Sequence, residues 1–184
     1  GRVSHHRRMG WFSPFQAAWI NLRAMFVYGA DFFIYKPGLA LLTVGLLLTA
    51  ALTAGPVTVG YVTLSLTSQF IGALAAILGL QFALIGCVTR IFFDYTGKRT
   101  QRILQFFRYT RSSFVAAMLT LTGVGLMIPI VVEYFDNDLA LPELSVVNHL
   151  AVTGLLAIVS GFSVFVFTLA IHAAAIATER GVPQ

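Results

Sequence analysis

Charge is what this chain has least of. Of its 184 residues, 12 are Lys or Arg and 7 are Asp or Glu, 10% in all, against about 25% in an ordinary soluble domain. No charged residue occurs from Pro37 to Thr89, from Ser112 to Val132, or from Leu144 to Thr178. A soluble domain has no use for such runs. A bilayer does, since about 20 apolar residues in a helix cross its hydrocarbon core. Cysteine is nearly absent too. The one copy, Cys87, lies in an apolar run, which excludes a disulfide framework. No Ser/His/Asp set, phosphate loop, cysteine cluster or buried carboxylate pair occurs, so the chain shows no catalytic constellation of its own. The composition is otherwise 58% hydrophobic, with mean hydropathy +0.84. The net charge of +5 would suggest nucleic acid in a soluble protein. Here it implies loops facing anionic headgroups and no nucleic-acid partner.

Four spans follow from the charge gaps: about Pro37 to Ala54, Gln69 to Phe93, Phe114 to Val132 and Val147 to Ile176. Gly55-Pro56 punctuates the longest gap, and the polar, β-prone TVGYVTLSLTSQ (58–69) predicts a short loop there. The flanking charges then set topology. Arg2, Arg7, Arg8, Arg23 and Lys36 precede the first span. Lys98, Arg99, Arg102, Arg108 and Arg111 lie between the second and third, with Arg90 at the membrane end. Between the third and fourth stand only Glu133, Asp136, Asp138 and Glu143. The positive-inside rule places both termini and the middle loop in the cytoplasm. The first apolar run starts only at Pro37, which predicts no cleavable leader. The start at Gly1 rather than Met suggests a piece of a longer protein.

Two cytoplasmic segments have the pattern of helices lying in the interface. In residues 11–28, Trp11, Phe15, Ala18, Trp19, Leu22 and Phe26 recur at helical spacing. In 98–111, Arg99, Arg102 and Arg108 separate from Ile103, Leu104, Phe106 and Phe107. Aromatics on one face and cations on the other settle a helix at headgroup level; the plainer alternative is snorkelling flanks of the spans.

Several patterns tempt a chemical reading. Asp136-Asn137-Asp138 has the D-x-D form that holds a divalent metal, but an acidic loop on the non-cytoplasmic side explains it. His5-His6-Arg7-Arg8 suits a basic arm touching phosphate better than a metal site, because adjacent residues in an extended segment point apart. His149 and His172 are about six helical turns apart and form no relay; they are expected to pack as neutral groups. Gln81, deep in the second span, predicts an interhelical hydrogen bond. Gly72, Ala75, Ala76, Gly79, Ala83 and Gly86 make a small-residue stripe for close helix packing, within the chain or in a homo-oligomer. Pro129 predicts a kink in the third span, and Arg90 suits the dipole at the C-terminal end of the second.

The stretch NLRAMFVYGADFFIYKPGLALLTVGLLL (21–48), with Asn21-Leu22-Arg23, Tyr28 and Pro37-Gly38-Leu39, resembles the membrane entry of family 2 glycosyltransferases acting on polyprenyl phosphates, the relatives of dolichol-phosphate mannose and glucose synthases. LGLQFALIGCVTRIFFDY (78–95) is similar to that family's L-G-x-Q-x-x-x-x-G-x-x-x-R pattern through Gly79, Gln81, Gly86 and Arg90. The resemblance implies a cytoplasmic catalytic domain preceding Gly1, carrying the divalent metal and the catalytic Asp. This chain would hold no cofactor and no catalytic residue. It would anchor the enzyme and position the acceptor, with membrane lipids and polyprenyl phosphate as partners and a bacterial plasma membrane as the setting.

The expected fold is an all-α integral membrane domain of four transmembrane helices and two amphipathic interfacial helices. Residues 1–36 form a basic arm and interfacial helix, 37–93 a first hairpin, 94–112 a basic interfacial helix, 113–178 a second hairpin and 179–184 a tail. Arg99, Arg102, Arg108 and Arg111, with Arg7 and Arg8, are the expected lipid-phosphate ligands, Arg102 and Arg108 foremost. Gly72, Gly79, Ala83, Gly86 and Gln81 are the expected packing residues. Two alternatives stay open. A small four-span polyprenyl-sugar flippase would line its path with charge, which the spans lack. A non-catalytic assembly subunit would tolerate neutralised basic faces.

Overall fold

The structure, a computed structural model, describes residues 15, 18–22, 29, 31–94, 96–136 and 146–180. Helix α1 (Lys36–Leu52) follows a π turn at Asp31–Tyr35. The strands β1 (Val57–Val59) and β2 (Val62–Leu64) come next, then α2 (Leu66–Phe92), α3 (Lys98–Phe106), α4 (Tyr109–Asp136) and α5 (Val146–Arg180). Among the described residues four segments are long and apolar enough to cross a membrane: Phe32–Leu52, Leu66–Phe92, Tyr109–Asp136 and Val146–Thr178. The protein is an all-α integral membrane domain. Its surface is inverted relative to a soluble one. Leu47 and Phe162 are 72% and 67% exposed, whereas Gln69, His149, Thr49 and Thr168 are buried. Buried threonine hydroxyls donate within their own helices, as Thr49 does to Gly45 O (2.8 Å) and Thr168 to Val164 O (2.7 Å). Such bonds satisfy a hydroxyl where no water reaches it.

Helices α4 and α5 run past their predicted spans at both ends and α2 starts earlier, at Leu66, whereas α1 stops at Leu52, before the predicted Ala54. Polar residues at each end stay helical because backbone hydrogen bonds must be closed until the chain reaches water. The predicted 58–69 loop is mostly a two-stranded hairpin, with Val57 opposite Leu64 and Val59 opposite Val62. Gly60, at φ +62°, makes its tip. The last residues of that stretch, Leu66 to Gln69, already belong to α2.

Helices α1 and α2 form one hairpin and α4 and α5 another; α2 also packs on α5, giving the lateral order α1–α2–α5–α4. Both hairpins are closed by glycine. A Cβ on Gly79 would press on the Leu42 backbone nitrogen and lie 2.7 Å from Gly38 O. One on Gly45 would press on the Ala76 nitrogen, and one on Gly38 would meet Phe82 Cβ at 2.6 Å and the Ala83 nitrogen at 2.9 Å. Thr49 and Leu48 face Gly72, and Tyr35 faces Gly86. The predicted stripe is thus the seam of α2 with α1, and its partner glycines are Gly38 and Gly45. In the second hairpin, Gly123, Gly154 and Gly161 do the same work, with a Cβ on Gly161 falling 2.7 Å from Ala116 O.

The seam between hairpins is different. Ala73 and Ala76 meet Val152 and Leu156, flanked by two polar contacts. Gln81 Nε2 donates to Ser163 Oγ (3.0 Å). Nearer the acidic end, Gln69 Nε2 donates to His149 O (3.0 Å) and Thr153 Oγ1 (3.1 Å), and Gln69 Oε1 accepts from His149 Nδ1 at 2.6 Å. That oxygen can only accept, so the proton sits on Nδ1. The buried Nε2 of the same ring has no hydrogen-bond partner.

Candidate functional site

The predicted basic helix is real but shorter than the 98–111 pattern suggests. Helix α3 ends at Phe106, and a second helix, α4, starts at Tyr109, so Arg108 falls in the break and Arg111 belongs to a membrane-crossing helix. Two devices fix where α3 starts. Gly97 precedes it at φ +68°, a left-handed conformation that side chains resist. Asp94 caps it, Oδ2 accepting from the Thr100 N–H (2.8 Å) and hydroxyl (2.9 Å), Oδ1 from the Thr96 hydroxyl (2.9 Å) and N–H (3.2 Å). These donors, the Thr100 N–H foremost, hold the Asp94 carboxyl well below the usual carboxylate range. The nearest acid in sequence is therefore committed to capping.

Helix α3 lies on the ends of α2 and α5. Its Ile103 and Leu104, with Phe107 just beyond, pack against Ile91, Ile171 and Ala174. Helix α5 provides this platform because its 35 residues reach about 52 Å, well past a core of about 30 Å. Phe106 departs from the predicted apolar face. It is 77% exposed and stands edge-on to Phe107 with ring centroids 5.2 Å apart, because the helix ends there and the chain turns toward α4.

With its apolar side docked, α3 turns its arginines outward. Arg99 and Arg102 join Arg90 of α2 around a cavity of about 320 Å³. Arg102 also borders a second cavity, of about 640 Å³, with Arg111; Leu80 and Leu84 of α2, Val115 of α4 and Val164 of α5 form its apolar lining. Arg108 lies apart, on a third cavity of about 550 Å³ with Gln101, Leu104 and Gln105. Among the described residues no carboxylate pairs with Arg99, Arg102, Arg108 or Arg111. The Arg90 guanidinium stacks 3.7 Å from the centroid of the Tyr35 ring, which Gly86 lets approach. A cation over an aromatic face is held in place without losing its charge.

Arg102 is thus the residue common to the first two of these three cavities. Sequence reasoning placed Arg90 at a helix dipole and missed its meeting with Arg99 and Arg102. The signal available was its spacing, one turn inside the end of a span followed at once by a basic helix. Chemically, the site offers convergent guanidinium groups above an apolar cleft, which suits a phosphate on a hydrocarbon chain. Arg7 and Arg8 lie outside the described residues, as do His5, His6, Asn137 and Asp138; Asp136 is the last residue of α4. Of the first basic segment, Phe15 and residues 18–22 are helical, with Trp19 and Ile20 exposed. His172 rests against the α4 start, edge-on to Tyr109, its Nδ1 2.9 Å from Thr168 O.

Residues 87–175 match the glycosyltransferase family 2 C-terminal transmembrane region. Residues 87–175 are thus a family 2 glycosyltransferase membrane region. The matched stretch runs from the end of α2 through α3 and α4 into α5, so it contains Arg90, Arg99, Arg102, Arg108 and Arg111. It anchors a glycosyltransferase in the membrane, and a C-terminal region of this family implies a linked catalytic domain. No curated protein and no solved structure matches the chain significantly. Among the described residues no three of His, Cys, Asp and Glu converge on one point.

Proposed function

We propose that this domain seats the phosphate of a polyprenyl phosphate at its basic end, for a catalytic domain that moves a sugar onto it from a nucleotide donor. The observation that carries the reading is Arg102, shared between the Arg90–Arg99 cluster and the apolar cleft that Arg111 borders. A lipid phosphate needs both: convergent donors for its oxygens and an uncharged path for its chain. On this reading the basic end faces the cytoplasm, the setting is a bacterial plasma membrane, and the divalent metal sits in the catalytic domain. Each cation near such a phosphate contributes about 1 kcal/mol. Arg108, first choice on sequence beside Arg102, takes the lesser role of holding anionic headgroups around α3. The close-approach glycines of α2 are taken by α1, so any homo-oligomer uses another surface.

A transport role is less well supported. The polar side chains Gln69, Gln81 and His149 are engaged in contacts between α2 and α5 and do not line a path.

In the full-length enzyme, Arg102→Gln is expected to raise the acceptor KM about fivefold, the ratio that ~1 kcal/mol produces. The nucleotide-sugar KM should not move, Arg102→Lys should recover part of the loss, and added salt should narrow the gap. An acceptor KM equal to the wild-type value in Arg102→Gln refutes the reading.

A further inference from the structure

Tyr35 closes the π turn Asp31–Tyr35, and α1 follows it at once. The turn packs on α2 as well as on α1. Its seat on α2 is Gly86. A Cβ there would lie 2.8 Å from Tyr35 Cβ and 3.2 Å from both Tyr35 Cα and Cδ2, so a larger residue would push the tyrosine away. Arg90 stands four residues on, one turn along the same side of α2. Its guanidinium carbon is 3.7 Å from the centroid of the Tyr35 ring, a distance that only contact through the ring face allows.

Such a contact engages the flat side of a guanidinium, whose N–H donors lie in its plane. Arg90 meets Arg99, Arg102 and Ile103 around the cavity of about 320 Å³. Three cations around so small a space repel one another. A long, flexible Arg90 side chain would swing away from the other two if nothing held it, and the ring face supplies the hold. The number of cations matters to the ligand. A phosphate monoester carries about 1.5 to 2 negative charges at pH 7 on three terminal oxygens. The phosphodiester of an ordinary headgroup has one of those oxygens esterified and only a single charge. Two arginines match the diester, and the third finds its oxygen and its charge only in the monoester.

We infer that Tyr35 is a positioning residue that holds Arg90 as the third guanidinium of this cluster, so that the seat prefers a phosphate monoester to the phosphodiesters of the surrounding headgroups. The inference rests on the proposed seating of the acceptor phosphate and adds the means of its selectivity. Tyr35 acts through Arg90 alone.

The test uses the full-length protein in phosphatidylcholine nanodiscs and two probes with the same tail, undecaprenyl phosphate and its methyl ester. The wild type should bind the phosphate more tightly than the ester. Tyr35→Leu, which fills space without a ring face, should weaken the phosphate about threefold, the ratio a cation–π contact produces, and leave the methyl ester unchanged. Retained binding of the methyl ester shows that the variant is folded. Tyr35→Phe keeps the ring face and should bind both probes as the wild type does. Arg90→Gln should show the same selective loss, and Tyr35→Leu added to it should cost nothing more. Equal weakening of both probes in Tyr35→Leu would make Tyr35 a packing residue and overturn the inference, as would a further loss in the double variant or a wild type that does not distinguish the probes. Wild-type binding in Arg90→Gln overturns it alone, whatever Tyr35→Leu does. Weaker phosphate binding in Arg102→Gln beside any of these failures leaves the phosphate seat standing. If the wild type binds neither probe, the seat itself is refuted, and the inference with it.

Discussion

Replacing Gly79 by Ala adds one methyl group at the tightest point of the first hairpin. That methyl would press on the Leu42 nitrogen and lie 2.7 Å from both Gly38 O and Leu42 Cα, all backbone atoms that no rotamer change can move. Ordinary contact begins at 3.4 Å, so α1 must retreat by at least 3.4 − 2.7, roughly 0.7 Å. A gap of 0.5–1 Å forfeits a quarter to a half of each dispersion contact along the seam. In lipid that loss matters more than in water, since contact rather than hydrophobic burial holds apolar helices together. Overpacking of this kind costs about 1–3 kcal/mol. The gain in helix propensity from Gly to Ala returns at most about 1 kcal/mol. The expected net loss is about 1–2 kcal/mol. Gly125 supplies the control. It lies in α4, and a Cβ there meets nothing within 4 Å, so Gly125→Ala should be neutral or slightly stabilising. Reversible unfolding in mixed micelles, titrated with dodecyl sulfate and followed by far-UV circular dichroism, separates the two. Equal midpoints for Gly79→Ala and the wild type, or equal losses in the two variants, would refute the backbone-contact account of the hairpin.

The remaining predictions concern the polar seam and the α3 cap. Gln69→Leu strips His149 Nδ1 of its acceptor and two further groups of their donor, and is expected to cost about 1–2 kcal/mol in the same assay. The cost should shrink in a His149→Leu background, and strict additivity in that double-mutant cycle would show that the contact carries no coupling. Asp94 has a folded pKa depressed below its unfolded one, so its contribution to the start of α3 is present in full at neutral pH. That contribution fades only as pH falls through the ordinary carboxylate value, about 3.9. The Thr100 amide should therefore keep its hydrogen-exchange protection from pH 7 to pH 5 and lose it in Asp94→Ala; an unprotected Thr100 amide in the wild type at pH 7 would contradict the cap.

The number and place of the spans were legible because the bilayer excludes charge, and this chain writes its charges in separated clusters. The basic helix was legible for a related reason: Ile103 and Leu104 alternate with Arg99 and Arg102 at the helical period. Helix order was not legible. Nothing in a run of leucines and alanines says that α2 sits between α1 and α5, and glycine at 38 or 45 carries no label for its partner at 79 or 76. Gln69 shows the limit most clearly. As a polar residue at the edge of an apolar run it resembles a surface anchor, yet it is fully buried against His149, a residue 80 positions away. The pairing of two polar groups is a property of the packed helices and leaves no periodic trace. Arg90 shows the same limit at the site: its neighbours Arg99 and Arg102 reach it only because α3 folds back on the end of α2.

The two seams of the bundle also imply an order of assembly. The contacts between α1 and α2, and between α4 and α5, join helices adjacent in the chain through short connections, so each pair can close as soon as its second helix enters the membrane. The α2–α5 junction cannot form until the last helix is made, and it is there that Gln69, His149, Gln81 and Ser163 wait. Until then those groups face lipid or one another unsatisfied, a costly state that the final docking relieves. A ribosome stalled after α4 would therefore leave a finished first pair, a lone third helix, and an exposed glutamine for quality-control machinery to detect.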